Sequence, residues 1–362
     1  MTYERKNISA MQGYVSGEQP QGPDVIKLNT NENPYPAGPA VARALANVSV
    51  DQLRRYPPPT ALALRRSLAA LHDVAVDNLL VTNGGDELLR LLLATFVEPT
   101  PDHSIAVADP SYSLYEVLAA AHGCGLHRIP LQDDWTLPAD FGARLNACGA
   151  KLCFVVNPHA PSGTLLPVDV LRRVADEFKG VLVIDEAYVD FIDPALGHST
   201  LPLIATHDNV AILRTFSKGY SLAGLRMAYG IGPRNLIDPM QYKTKDSYNT
   251  DLIAQALAQA AIEDQPYAAD TWRRVREERG HLREALAALG LHAPASQSNF
   301  LLATVPAPHQ AQRLYEGLKQ KGILVRWFRI PGLEDKLRIS IGTPEEDQRL
   351  LAGLRELLAT PQ

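Results

Sequence analysis

Asn209-Val-Ala-Ile-Leu-Arg-Thr-Phe-Ser-Lys-Gly-Tyr-Ser-Leu-Ala-Gly-Leu-Arg226 is where the reading of this chain begins. The apolar run from Val210 to Leu213 predicts a buried strand that stops at the polar corner Thr215-Phe216-Ser217-Lys218. A Gly-punctuated turn follows, and Arg226 starts the next apolar run. The crevice beyond the carboxyl ends of strands is where α/β sheets place reactive groups. A lysine there loses hydration, its pKa falls, and the freed lone pair becomes a nucleophile toward an aldehyde. Ser217 beside it and Arg226 eight residues on suit a phosphate group, the arginine through its planar fork of donors. Taken alone, a lysine after a strand is more often a plain surface residue, so its companions elsewhere in the chain decide the matter.

Upstream of this stretch, strand-like and helix-like segments alternate. Leu79–Thr82 reads as strand, Asp86–Phe96 as helix, Ile105–Ala108 as strand, Tyr112–His122 as helix, Leu152–Val156 as strand, Pro167–Phe178 as helix and Val181–Ile184 as strand. That order predicts an α/β domain over residues 30–250, with a mostly parallel sheet and helices on both faces. Earlier still, a helix from Gly38 is broken by Arg55-Tyr-Pro-Pro-Pro59, and Thr60 is placed to cap a second one through His72. Residues 1–30, rich in Gly, Pro and Gln, read as an extended arm. Asp190–His207 reads as a loop long enough to serve function or subunit contact. Past Asn249 come long Ala/Leu/Arg/Glu helices (Leu252–Ile262, Trp272–Leu289), then Phe300–Thr304, Gln310–Lys321, Ile323–Trp327, Leu337–Ile341 and Glu345–Leu358. With the arm (1–29), residues 251–362 are expected to form a smaller α+β domain.

A length of 362 residues favours two domains over one core. A net charge of -5 and the lack of any basic run argue against a nucleic-acid partner. The first residues lack the apolar core of a signal peptide, and no apolar run approaches membrane-spanning length. Cys124, Cys148 and Cys153 are odd in number and have no metal-ligand partners at suitable spacing, and the ten histidines are scattered. Reduced thiols, a cytoplasmic location and no protein-bound metal are the expectation.

Several predicted strands end in polar groups. Val155-Val156 runs into Asn157-Pro158, Val183-Ile184 into Asp185-Glu186-Ala187-Tyr188, and Leu213 into the corner with Ser217 and Lys218. Gly84-Gly85 opens a helix after Leu79–Thr82, where backbone N–H groups can meet an anion. Together these parts fit pyridoxal 5'-phosphate better than a nucleotide. That cofactor wants a lysine for its aldehyde, an acid to keep its ring nitrogen protonated, donors for its ring oxygen and a cradle for one phosphate. Asp185 suits the nitrogen. Asn157 and Tyr188 could both reach the ring oxygen, and Gly85, Asp86, Ser217 and Arg226 could hold the phosphate. Singly, Asp185 could instead be a helix cap or metal ligand, Asn157 a turn residue and Tyr188 core; jointly, each at a strand end, they point to one site.

Asn157-Pro-x-x-Pro-Ser-Gly163, Asp185-Glu-Ala-Tyr188 and Thr215-Phe-Ser-Lys-x-Tyr-x-Leu-Ala-Gly-Leu-Arg226 resemble the signatures of fold-type I, aspartate-aminotransferase-like enzymes. More narrowly, Gly13-Tyr-Val-Ser-Gly-Glu-Gln-Pro20, Asn29-Thr-Asn-Glu-Asn-Pro34, Arg55-Tyr-Pro57 and Gly84-Gly-Asp-Glu87 resemble the histidinol-phosphate aminotransferase family, over nearly the whole chain. The resemblance implies a seven-stranded, mostly parallel sheet in the large domain and a homodimer with shared active sites. It implies that Tyr112 stacks on the cofactor ring and that Tyr56 reaches the phosphate of the neighbouring subunit. Arg338 would hold the substrate anion, Arg326 the phosphate of histidinol phosphate, and Tyr14 and Asn33 would line the substrate side. It also implies transamination with 2-oxoglutarate and glutamate, in which Lys218 is the base and Asp185 and Tyr188 assist. His159, Ala160 and Ser162 depart from the family's usual Asn-Pro-Asn-Asn-Pro-Thr-Gly, so the loop they form is expected to differ in shape. An aromatic-amino-acid aminotransferase or a threonine-phosphate decarboxylase would carry similar motifs. A non-catalytic module on this fold would typically carry a fused partner segment, and none is evident. A dehydrogenase lacks its Gly-x-Gly-x-x-Gly here.

Overall fold

Among the residues described by the computed structural model (3–19, 22 and 24–359), twelve strands form three sheets. In chain order they are β1 (Ile26–Lys27), β2 (Leu79–Thr82), β3 (Ser104–Asp109), β4 (Gly125–Pro130), β5 (Ala150–Val156), β6 (Val181–Asp185), β7 (Val210–Thr215), β8 (Ala228–Ile231), β9 (Phe300–Thr304), β10 (Ile323–Leu324), β11 (Arg326–Trp327) and β12 (Lys336–Ser340). The large sheet has the order β2-β8-β7-β6-β5-β3-β4. β8 alone runs against the other six strands, so the carboxyl ends of β2, β3, β5, β6 and β7 open on one edge. This is the mostly parallel α/β sheet that the alternation and the family resemblance led us to expect.

Side-chain alternation explains why both faces are covered. On β5, Leu152, Phe154 and Val156 enter one core, while Cys153 and Val155 enter the other. On β7, Ala211 and Leu213 divide from Val210 and Ile212 in the same way. Strands apolar at every position must be buried on both faces, as parallel sheets are. The first core continues into the C-terminal layer, where Leu301, Leu337 and Ile339 join it. That layer is an antiparallel sheet of order β11-β12-β9. The arm adds β1, which pairs in parallel with β10.

Several local expectations need correcting. Gly125–Pro130 is a strand the pattern did not reveal, because it is an edge strand with His127 and Arg128 exposed. The second helix starts at Leu62, not under a Thr60 cap. Ala61 closes a turn on Pro58 O and takes a left-handed backbone, with φ 48°. The arm is not extended throughout. Lys6–Ala10 is a helix, and Arg5 and Asn7 donate to the last-turn carbonyls Ala121 O and Ala120 O of the helix Leu114–His122, each at 2.8 Å. The segment Ile323–Trp327 forms two strands that join different sheets. Asp190–His207 contains short 3-10 turns and the helix Leu203–Thr206.

Candidate active site

The corner after β7 is closed by its own backbone. Phe216 N donates to Met227 O at 3.0 Å, and Leu222 N donates to Phe216 O at 3.0 Å. Ser217 N donates to Thr215 Oγ1 at 3.1 Å. These bonds turn Lys218 back over the sheet edge, where its Nζ donates to Thr30 O at 2.7 Å and lies 6.0 Å from the Tyr188 ring centroid. Burial, helped by the Arg338 charge and opposed by Glu32, lowers the Lys218 pKa to about 8. A share of neutral amine is therefore present near neutral pH, as a nucleophile or base requires. Glu32 is itself ion-paired with Lys27, with Nζ and Oε2 2.5 Å apart.

Asp185 ends β6 and is buried. Tyr115 OH donates to its Oδ2 at 2.6 Å, and Ala187 N donates to Oδ1 at 3.1 Å. Burial raises its pKa to about 6, against the pull of both hydrogen bonds. A cationic partner, such as a protonated ring nitrogen, would relieve that cost. Tyr115 was missed by the sequence reading. It lies one helical turn beyond Tyr112, edge-on to it at 5.6 Å and stacked on Phe154 at 4.7 Å. That i, i+3 spacing was the signal that could have found it.

At the start of the helix Gly84–Phe96, Gly84 takes φ 76°, and a Cβ there would meet Arg226 Nη2 at 2.7 Å. The Arg226 guanidinium thus lies against bare backbone, and the positive φ favours glycine there. Arg226 Nη1 donates to Ser217 Oγ at 3.3 Å, and Nη2 is 3.7 Å from Asp86 Oδ2. Arginine, serine hydroxyl and the N–H groups of Gly85 and Asp86 could receive an anion at this helix start.

The residues expected on the substrate side come from the N-terminal arm or just after it, and from the C-terminal layer. Arg326 and Arg338 are directly opposed across β11 and β12. Arg338 Nη2 donates to Asn29 O at 2.9 Å, while its Nε is buried with no partner. Burial lowers the Arg338 pKa, as does Arg326. Tyr14 lies edge-on to Tyr112 at 5.9 Å. Asn33 Nδ2 donates to Gly219 O at 3.1 Å, bracing the residue after Lys218.

Asn157, His159 and Tyr56 each have a partner within the protomer. The Asn157 amide bonds to Leu166, accepting from its N at 2.8 Å and donating to its O at 3.2 Å, so it holds the loop after β5. In that loop His159 bridges Ser162 Oγ at 2.7 Å and Pro110 O at 2.8 Å. Tyr56 is 80% exposed and stacks on Tyr248 at 4.4 Å, on the outside of the protomer.

An amine with a depressed pKa, a buried acid and an anion cradle at neighbouring strand ends fit pyridoxal phosphate. A family model described as aminotransferase class I and II matches residues 23–354. The chain is 44% identical over 357 residues to histidinol-phosphate aminotransferase 1 of Trichormus variabilis, covering 98% of this chain and 99% of that protein. It is 41% identical over 353 residues to histidinol-phosphate aminotransferase 2 of Burkholderia lata, covering 96% of each. Its fold is similar to that of histidinol-phosphate aminotransferase from Sinorhizobium meliloti, solved in complex with pyridoxal-5'-phosphate. The TM-score is 0.90 at 24% identity, over 99% of this chain and 98% of that one. The chain belongs to the class I and II aminotransferases, and within them to the histidinol-phosphate aminotransferase family.

Proposed function

We propose that this enzyme moves the amino group of L-histidinol phosphate to 2-oxoglutarate, giving imidazole-acetol phosphate and L-glutamate, a step of histidine biosynthesis. The observation that carries the reading is the Arg326–Arg338 pair. Like charges directly opposed across a strand pair repel, and Arg338 also keeps an unpartnered buried Nε. A phosphate monoester or a dicarboxylate would relieve both, and guanidinium forks accept either. The identities to the named relatives support the same substrate.

When bound, pyridoxal phosphate supplies an electron sink for the carbon that carries the amine. Lys218 would join its aldehyde, Asp185 would hold its ring nitrogen, and Tyr112 would cover its ring. Tyr188 would reach its ring oxygen from one side of the crevice, with Asn157 fixing the loop on the other. Ser217, Arg226 and the Gly85 and Asp86 amides would hold its phosphate. Lys218 Nζ, once free, takes the proton from the amine-bearing carbon of the substrate. Thr30 O, which accepts from Nζ, aims that nitrogen. Tyr14 and Asn33 border the substrate space, and Arg326 and Arg338 clamp its anion. We further propose a cytoplasmic homodimer in which exposed Tyr56 reaches the partner's cofactor phosphate. The division into residues 30–250 and 1–29 with 251–362 is proposed on the same grounds.

Half-reaction spectroscopy of the holoenzyme tests this directly. Histidinol phosphate should convert the bound chromophore at far lower concentration than phenylalanine or threonine phosphate. Equal conversion by phenylalanine would move the assignment to an aromatic aminotransferase, and carbon dioxide release from threonine phosphate would move it to a decarboxylase. Arg326→Ala should weaken histidinol phosphate by about ten- to a hundredfold more than glutamate.

A further inference from the structure

Tyr188 has a protein partner with no role yet in the site. Asn31 is buried, with a left-handed backbone at φ 56° that asparagine tolerates better than most residues. Its N–H donates to Ser340 Oγ at 2.9 Å, and Ser340 Oγ in turn donates to Asn31 Oδ1 at 3.1 Å. This fixes the amide, because Oδ1 is taken by Ser340 and Nδ2 must face Tyr188 OH, 3.0 Å away. With the amide turned over, Ser340 would receive two donors and its own buried proton would lose this acceptor, an arrangement that native interiors avoid. Since the phenol oxygen accepts from Asn31, the Tyr188 proton remains available to the crevice.

We infer that Asn31 is a positioning residue, which turns Tyr188 into a proton donor toward the ring oxygen of the bound cofactor. The inference rests on the reading of Tyr188 given above and deepens it. Accepting one hydrogen bond makes a hydroxyl a stronger donor in the next. Burial raises the Tyr188 pKa, while the Arg338 charge and the Asn31 hydrogen bond both oppose the rise, which agrees with the geometry. Asn31 is anchored to the substrate strand as well. Ser340 ends β12, which carries Arg338, and Asn299 Nδ2 donates to Asn31 O at 2.9 Å. The orientation of one phenol is thereby tied to the strand that holds the substrate anion.

A donor on the ring oxygen steadies its anionic charge and lowers the proton affinity of the bound chromophore. The test is a pH titration of holoenzyme visible absorption in Asn31→Gly, Ser340→Ala, Tyr188→Phe and the double variant Asn31→Gly with Tyr188→Phe. Glycine keeps the left-handed backbone, so Asn31→Gly removes the amide and not the turn. The midpoint should rise in Tyr188→Phe. It should rise in the same direction by about half to one pH unit in Asn31→Gly, and by less in Ser340→Ala. The double variant should show no more than the Tyr188→Phe shift. An unmoved midpoint in Asn31→Gly beside a moved one in Tyr188→Phe overturns the inference and leaves the Tyr188 role standing; so does full additivity in the double variant. An unmoved midpoint in Tyr188→Phe overturns the role of Tyr188 itself. If Asn31→Gly does not fold, Ser340→Ala decides, with an unmoved midpoint counting against the inference.

Discussion

Two arginines near the sheet edge have opposite circumstances. Arg214, on β7, donates through Nε to the buried Glu186 at 2.8 Å, and its Nη1 is 3.4 Å from His72 Nδ1. His72 Nε2 in turn meets Tyr229 OH at 2.9 Å, and Thr200 Oγ1 donates to Glu186. Burial pulls the Arg214 pKa down, but Glu186, Tyr229 and Asp190 together more than reverse this and the net shift is upward. Arg338 has a backbone carbonyl, an unpartnered Nε and a second arginine across the strand, and its pKa falls. A buried cation given its own acid is scaffold. One left without an acid, beside Lys218 with its lowered pKa, is where we propose that an external anion binds.

The contrast can be broken by mutation. Lys218→Ala should lower kcat/KM for transamination by about 10⁴-fold or more and abolish the protein-linked absorbance, while thermal unfolding of the apoprotein stays within a few degrees of wild type. Retained activity would remove Lys218 from the chemistry. Arg214→Met strands the Glu186 carboxylate and should cost about 3–5 kcal/mol of stability by denaturant unfolding, whereas Arg338→Met should change stability by less than about 1 kcal/mol and instead raise KM for both substrates. Equal losses in the two variants would erase the distinction.

Asp185 supplies the finest test, through its pH dependence. Its folded pKa of about 6 lies above the 3.8 of an ordinary aspartate. The stability it contributes is therefore present below pH 4 and lost as pH rises through 6. In the apoprotein, Asp185→Asn should gain on wild type by about 2–3 kcal/mol between pH 4 and pH 7. Adding pyridoxal phosphate should shrink that advantage. A gap that does not vary with pH would mean the carboxyl titrates normally.

Much of this molecule could be read before any coordinates. The buried strands announced themselves because both faces are apolar, and the motifs put Asp185 and Lys218 together because each stands at the end of such a strand, with Arg226 just before the next. β4 was hidden by its exposure at the sheet edge. The destination of the Asn157 amide was hidden too, since it depends on how the loop returns to Leu166. Asn31 and Ser340 stand 309 residues apart, and no local pattern links them. Tyr56 is exposed and its ring stacks on Tyr248, so a role across a subunit boundary leaves no mark within one chain.

That separation has a consequence for how the enzyme comes into being. The segment Asn29–Asn33 is made 268 to 309 residues before its fixed partners Asn299, Arg338 and Ser340. A nascent chain can form the seven-stranded sheet first, but the pocket lacks a wall until those partners have followed. Catalysis therefore waits for two segments far apart in the chain to meet.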